Sequence, residues 1–338
     1  MRVLLILFLK IFCFGIISCQ RPGGNEPIDR MHFLMDTLVR ISIYDQTLPR
    51  KTVETAIDRA FMMMKEIEER TSVYVDTSEI TRLVEASGIR AVGVSSETLT
   101  LLKKSVEVSD MTHGAFDITV GVIKSLWGFD TEHPTVPDSS MIQSLLSKVN
   151  YKDIHFQGKS VLLRNRGMRV DLGGIAKGLI IDRGVDVLRE AGIQSGIIEA
   201  GGDLRIFGNH PVREKWNIAI RHPRSDEGAF FGVLATEETG IATSGDYERY
   251  FYNDGKRYHH ILDPQTGYPA EGCISVTVVA ESALLADAYA TAVFVLGIDE
   301  GMALIDRLPS VDGIIIYEEE DRIQYKISER LQQMIEFR

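Results

Sequence analysis

Residues 281–297 read ESALLADAYATAVFVLG, and they set the hardest condition this 338-residue sequence must meet. Leu284, Leu285, Ala288, Val293, Phe294, Val295 and Leu296 make the stretch apolar, Ser282 is an N-cap residue and Gly297 a C-terminal stop. The segment predicts a helix of about four turns, yet it carries Asp287 in its interior. A buried carboxylate without a partner costs several kcal/mol or neutralises itself through a raised pKa. Asp287 and Thr291 stand four residues apart and share a helix face, with the small Ala283 and Ala290 beside them. A carboxylate next to a hydroxyl suits a hard cation such as Mg²⁺, which keeps coordination places for water and phosphate. An Asp that caps a neighbouring loop is the other reading of the same residues.

The N-terminus has a different character. Residues 1–18 carry Arg2, an apolar run and an interrupting Lys10, the pattern of a secretory signal. They end in IISC at 16–19, which is similar to a bacterial lipoprotein signal in which Cys19 is acylated. QRPGGNEP at 20–27 reads as flexible, so 19–31 is expected as a tether and 32–338 as one domain. With Cys13 removed and Cys19 lipidated, Cys273 alone remains and no internal disulfide is available. Multiple acyl chains would anchor firmly, since one binds only marginally. The net charge is −11, which argues against general nucleic-acid binding and requires a local positive site or a metal for any polyanionic ligand.

Along the rest of the chain, 38–45 alternates as a strand, and Val53, Ala56, Ile57, Ala60, Phe61, Met64 and Ile67 recur at helical spacing. Helices are also expected at 96–112 and after Asp138. The stretch 167–192 reads strand, glycine turn, helix, stop; 195–203 reads as a buried strand ending in a glycine turn; 216–220 and 274–280 read as strands. Asn253-Asp254-Gly255 marks one hairpin and 313–328 a closing one. Strands and helices interleave without a strict βαβ repeat, so the expected class is α+β with mixed or antiparallel sheets.

Four further stretches carry candidate chemistry. DLGGIAKG at 171–178 places glycines and Lys177 at a helix start, which suits a pyrophosphate; the Rossmann glycine spacing is absent, and a plain tight turn reads the same way. In 112–129, Phe116, Trp127 and Phe129 lie among glycines near Asp117, a composition for either a flat-ring slot or core packing. Thr243, Ser244 and Asp246 form a polar turn after a strand. His260, Asp263 and Thr266 cluster at a Pro-Gly turn, where His is a proton carrier near neutral pH.

Read in order, MDT (35–37), TSVYVDTSEI (71–80), GAFDITVG (114–121), VDLGGIAKG (170–178), EAGGD (199–203), ATSGDYERYF (242–251), HILDPQTGYPA (260–270) and LADAYATAVFVLG (285–297) resemble the ApbE family of FAD:protein FMN transferases. The resemblance implies a T-fold-like α+β flavin transferase that uses FAD and Mg²⁺, joins FMN by a phosphoester to a Thr or Ser of a partner protein, and releases AMP. It implies metal ligation by Asp287, Thr291 and the Ala176 carbonyl, and FAD contacts at Met35, Ala115, Phe116, Asp117, Lys177, His260 and Ile261. Tyr74 matches an aromatic that covers a ring of the dinucleotide. His260 is the expected base for the acceptor hydroxyl, with Asp263 as the alternative and Lys177 holding negative charge. Asp36, Glu199 and Ala200 depart from the family's usual residues. The implied partner is a flavoprotein subunit of a membrane electron-transfer complex of the Na⁺-translocating NADH:quinone reductase or Rnf type, with the enzyme exported and anchored on the periplasmic side. An FAD pyrophosphatase that gives FMN and AMP, and a non-catalytic FAD-binding lipoprotein, are the competing readings.

Overall fold

The computed structural model describes residues 26–225 and 228–338; the expected signal segment, Cys19 and most of the expected tether lie outside them. Its centre is an eight-stranded sheet: β1 (Ile28–Leu34), β2 (Thr37–Ile43), β3 (Gly196–Ala200), β4 (Asp203–Phe207), β5 (Thr239–Gly245), β6 (Ser275–Ala280), β7 (Asp312–Glu319) and β8 (Arg322–Ile327). The strands lie side by side in chain order, and each neighbouring pair is antiparallel. The class is therefore α+β, as the interleaving implied, and the sheet is antiparallel throughout.

Of the helices α1 (Arg50–Thr71), α2 (Ser96–Met111), α3 (Gly121–Trp127), α4 (Ser139–Leu146), α5 (Ala176–Glu190) and α6 (Ala283–Arg307), α1, α5 and α6 pack on the sheet's first face. The residues expected to form the α1 core stripe are all buried. They meet Val39, Ile41 and Ile43 of β2, Ile198 of β3, and Ile180, Ile181 and Val185 of α5. A second cluster packs Ala288, Ala292, Val293 and Phe294 of α6 against Val276 and Val278 of β6. The opposite sheet face carries Ile197, Leu204, Ile206 and Ile314, covered by a three-stranded sheet of 216–221, 230–236 and 335–337. Alternate residues of one strand thus feed two cores, as the period of two demands.

Four expectations change. Residues 28–31, expected within the tether, belong to β1: Ile28 to Leu34 pair with Ile43 to Thr37. In 168–172, expected as a strand, Met168, Val170 and Leu172 are buried and Arg169 is exposed, but the segment has no ladder partner. The backbone at 170–171 packs instead against the start of α3, where a Cβ on Gly121 would stand 2.8 Å from the Val170 carbonyl carbon and the Asp171 nitrogen. Thr243 and Ser244, expected in a turn, are inside β5. The glycine stop at 297 is a break rather than an end: its φ of 78° separates two helical segments of α6. Both expected hairpins form, with positive φ at Asp254 and Gly255 and at Glu320 and Asp321.

Candidate active site at the glycine turn

The site forms where α5 and α6 begin side by side. Asp182 on α5 accepts hydrogen bonds from the Ala283 and Leu284 N–H groups, both at 3.0 Å, and Ser282 Oγ accepts from Leu285 N at 3.2 Å. These acceptors satisfy the free donors of the first turn of α6 and fix its rotation. The two helices approach so closely that a Cβ on Gly178 would fall 2.3 Å from the Ala283 carbonyl oxygen. No side chain larger than hydrogen fits there.

This approach gives Asp287 its partners. Its Oδ2 accepts the Gly178 N–H at 3.0 Å, and the residue is 5% exposed. Burial, reinforced by the neighbouring Asp203 carboxylate, pushes its pKa well above the usual carboxylate range; Lys177 and the Gly178 N–H pull in the other direction. Lys177 Nζ stands 2.8 Å from Asp203 Oδ2. Burial alone would lower the Lys177 pKa, but Asp203 and Asp287 outweigh it and keep the ammonium charged. Asp203 is held in turn by the Thr243 N–H at 3.1 Å. Thr291 faces the turn one helical step beyond Asp287. Its Oγ1 lies 3.2 Å from Ser244 Oγ, and a Cβ on Gly174 would come within 2.9 Å of it. The expected carboxylate–hydroxyl pair thus exists, joined by a second hydroxyl from β5. Ala176 opens α5 beside Lys177. Among the described residues no three His, Cys, Asp or Glu side chains gather into a metal site. A cation here would draw on one carboxylate, hydroxyls and backbone carbonyls, a hard oxygen set that fits Mg²⁺.

On the other side of the turn, Lys124 of α3 donates to Asp171 Oδ1 at 3.0 Å, and the same oxygen accepts the Gly173 N–H at 3.0 Å. Burial would raise the Asp171 pKa; Lys124 and the Gly173 N–H overcome it and hold the carboxyl below the ordinary range. His260 is half-buried nearby. Its Nδ1 lies 3.3 Å from the Arg249 carbonyl oxygen, and its backbone N–H donates to the same oxygen at 3.1 Å. A carbonyl only accepts, so Nδ1 carries the proton and Nε2 keeps its lone pair. Burial, with Lys124, Arg249 and His259 adding like charge, pushes the His260 pKa down to about 3. The ring is neutral at physiological pH.

The Arg249 guanidinium bridges Asp130 and, at 3.4 Å, Asp36. Tyr74, 61% exposed, donates its hydroxyl to Asp130. Met35 and Asp36 form the β1–β2 turn with φ of 55° each, and Met35 N–H donates to Glu68 at 2.8 Å. These contacts tie Met35, Tyr74 and His260 into one rim. The remaining expected contacts have partners within the protein. Asp117 accepts Thr119 N–H and Oγ1–H at 2.8 and 2.6 Å and Tyr151 N–H at 2.9 Å, so its carboxylate secures the local turn. Ala115 and Phe116 are buried, Phe116 in the main core, and Trp127 is fully buried with its indole N–H on the Gly267 carbonyl. Phe116 and Trp127 pack in two separate core clusters, and Phe129 is partly buried against the second. Asp263 accepts the Gln265 N–H at 2.8 Å and shapes the turn after His260 and the buried Ile261. Asp203 and Lys124 were not named as site residues, and Asp171 and Ser244 stood only within the candidate stretches 171–178 and 243–246. Asp203 and Asp171 had a signal, each standing at an end of a glycine turn; Lys124 had none.

Comparison with known proteins agrees with this geometry. The family model described as "ApbE family" matches residues 35–315. The FAD:protein FMN transferase of Treponema pallidum is 31% identical over 91% of this chain and 89% of its own length. That of Vibrio cholerae is 33% identical over 84% of this chain and 86% of its own. The crystal structure of the Thermotoga maritima ApbE protein superposes with a TM-score of 0.83 at 34% identity, covering 91% of this chain and 99% of that one. The flavin transferase ApbE of Vibrio cholerae superposes with a TM-score of 0.81 at 30% identity, covering 91% and 99%. With its glycine turn, its buried Asp287 and its antiparallel sheet accounted for, the chain belongs to the ApbE family.

Proposed function

We propose that this chain transfers FMN from FAD to a Thr or Ser hydroxyl of a partner protein, with Mg²⁺ required and AMP released. The observation that carries the reading is the convergence of Asp287, Lys177, Thr291 and Ser244 on the 171–178 turn, with His260 reaching it from another loop. The names of the relatives supply the substrate pair. The bond to be broken is a phosphoanhydride, whose cleavage needs positioning and charge neutralisation more than covalent help.

Asp287, Thr291 and the Ala176 carbonyl would hold the metal ion, which when bound supplies Lewis-acid neutralisation of phosphate oxygens. Lys177 adds a fixed positive charge at the same end. The glycine turn brings backbone N–H groups close to a bound phosphate. His260 presents the unprotonated Nε2 toward which an acceptor hydroxyl can release its proton; Arg249 holds that tautomer through its carbonyl. With so low a pKa the ring is a weak resting base, and the negative charge of a bound dinucleotide raises its basicity. Tyr74 lies at the rim, where its exposed ring can cover a flat ligand.

The reading extends to location and partner: export, an acyl anchor on Cys19, and an acceptor that is a membrane electron-transfer subunit of the NADH:quinone reductase or Rnf type. Anchoring would hold enzyme and acceptor in one plane and raise their effective concentration. The test mixes the chain with FAD and Mg²⁺, with and without a candidate acceptor, and follows AMP. Release that depends on the acceptor supports transfer. Release at the same rate without it makes the chain a pyrophosphatase, and no release in either case leaves a flavin-binding protein.

A further inference from the structure

Two cations flank the glycine turn, and the proposed chemistry so far uses only Lys177. Lys124 reaches the opposite end from α3. Its ammonium would stand 3.4 Å from a Cβ on Gly173, and its side chain is 18% exposed. The position is built. Gly121 places α3 directly against the 170–171 backbone, Asp171 N–H donates to the Ile118 carbonyl at 2.8 Å, and Asp171 Oδ1 clamps Lys124 and Gly173 together. An ammonium has three donors, and Asp171 accepts one of them. Gly173 is exposed, so the donors beside it face an accessible surface.

Along the turn the groups run in order: Lys124 at Gly173, Thr291 at Gly174, Lys177 and Asp287 at Gly178. A dinucleotide diphosphate presents two phosphates along such a line. Lys124 also lies on the His260 side, within electrostatic reach of the imidazole, whereas Lys177 pairs with Asp203 at the α6 side. The acceptor hydroxyl would arrive from the His260 side, and AMP would leave from the opposite one.

We propose that Lys124 is the ligand of the FMN-side phosphoryl group, holding its non-bridging oxygens while the Asp287–Lys177 end holds the AMP side. The assignment rests on the proposed function and names the division of labour within that same site. Asp171 is the positioning residue, since it acts through Lys124.

The test titrates the 338-residue chain and its Lys124→Met and Lys124→Arg variants with FAD, FMN and AMP separately, following heat of binding. Lys124→Met keeps the apolar stem and removes the charge. FMN and FAD affinity should fall roughly ten- to a hundredfold, the loss of charge-assisted hydrogen bonds. AMP affinity should stay unchanged, and Lys124→Arg should recover most of the loss. Unchanged FMN binding overturns the assignment, as does an equal loss for AMP, which marks a structural effect. A loss confined to AMP would assign Lys124 to the other phosphate and also overturns it. A wild-type chain that does not bind FAD overturns the proposed function itself, a separate result from the variant series.

Discussion

Asp203 pairs with the Lys177 ammonium at 2.8 Å, Asp287 acts on the same charge through space, and this is where a single residue decides most. A buried carboxylate on an apolar helix is tolerated because the Gly178 N–H and Lys177 answer it. Asp287→Ala should therefore abolish turnover, by about a hundredfold or more, while leaving the fold intact; AMP release and a thermal melt read the two separately. Activity near wild type would remove Asp287 from the site. His260 gives a second prediction at this scale. Its folded pKa of about 3 lies below the unfolded value of about 6.5. As pH falls through that window, the unfolded chain binds a proton that the folded one refuses, so stability present above the unfolded pKa is lost toward acid. Wild type should lose more thermal stability than His260→Asn between about pH 7 and about pH 4. Parallel losses would contradict the buried neutral ring.

At the scale of elements, the closest tolerance is the meeting of α5 and α6. Gly178→Ala puts a methyl group into the Ala283 carbonyl and should cost about 3 kcal/mol, measured as a shift in denaturant midpoint at constant slope. A neutral outcome would mean that the helices separate easily. Periodicity made the α1 stripe legible, because every expected position faces the core. It misled at 168–172, since alternation reports burial on one side and not a ladder partner. It overlooked β1, whose Asp29, Arg30 and His32 mask an edge strand that exposes Met31 and Phe33. In the site, Asp287 and Thr291 were legible because helix geometry fixes i and i+4. The Lys124–Asp171 pair was not, because its members are 47 residues apart and are joined only by tertiary packing. Phe116 and Trp127 show the converse: aromatic residues near glycine serve a core as readily as a ligand slot.

At the scale of the whole molecule, a sheet built in chain order carries its active groups at one junction: β5 supplies Ser244, the β3–β4 turn leads to Asp203, and Arg249 and His260 flank the 250–259 hairpin between β5 and β6. The proposed anchor belongs to this scale as well. Cys19→Ser should move the chain from the membrane to the soluble fraction while its AMP release in detergent stays unchanged; continued sedimentation with membranes would refute acylation at that residue. The most direct measurement of the central claim is the intact mass of a candidate acceptor subunit co-expressed with this chain. Wild type should add the mass of one FMN less one water to a Thr or Ser, and Asp287→Ala should add nothing. An acceptor left unmodified by wild type while AMP accumulates, or modified equally by both, would contradict the account.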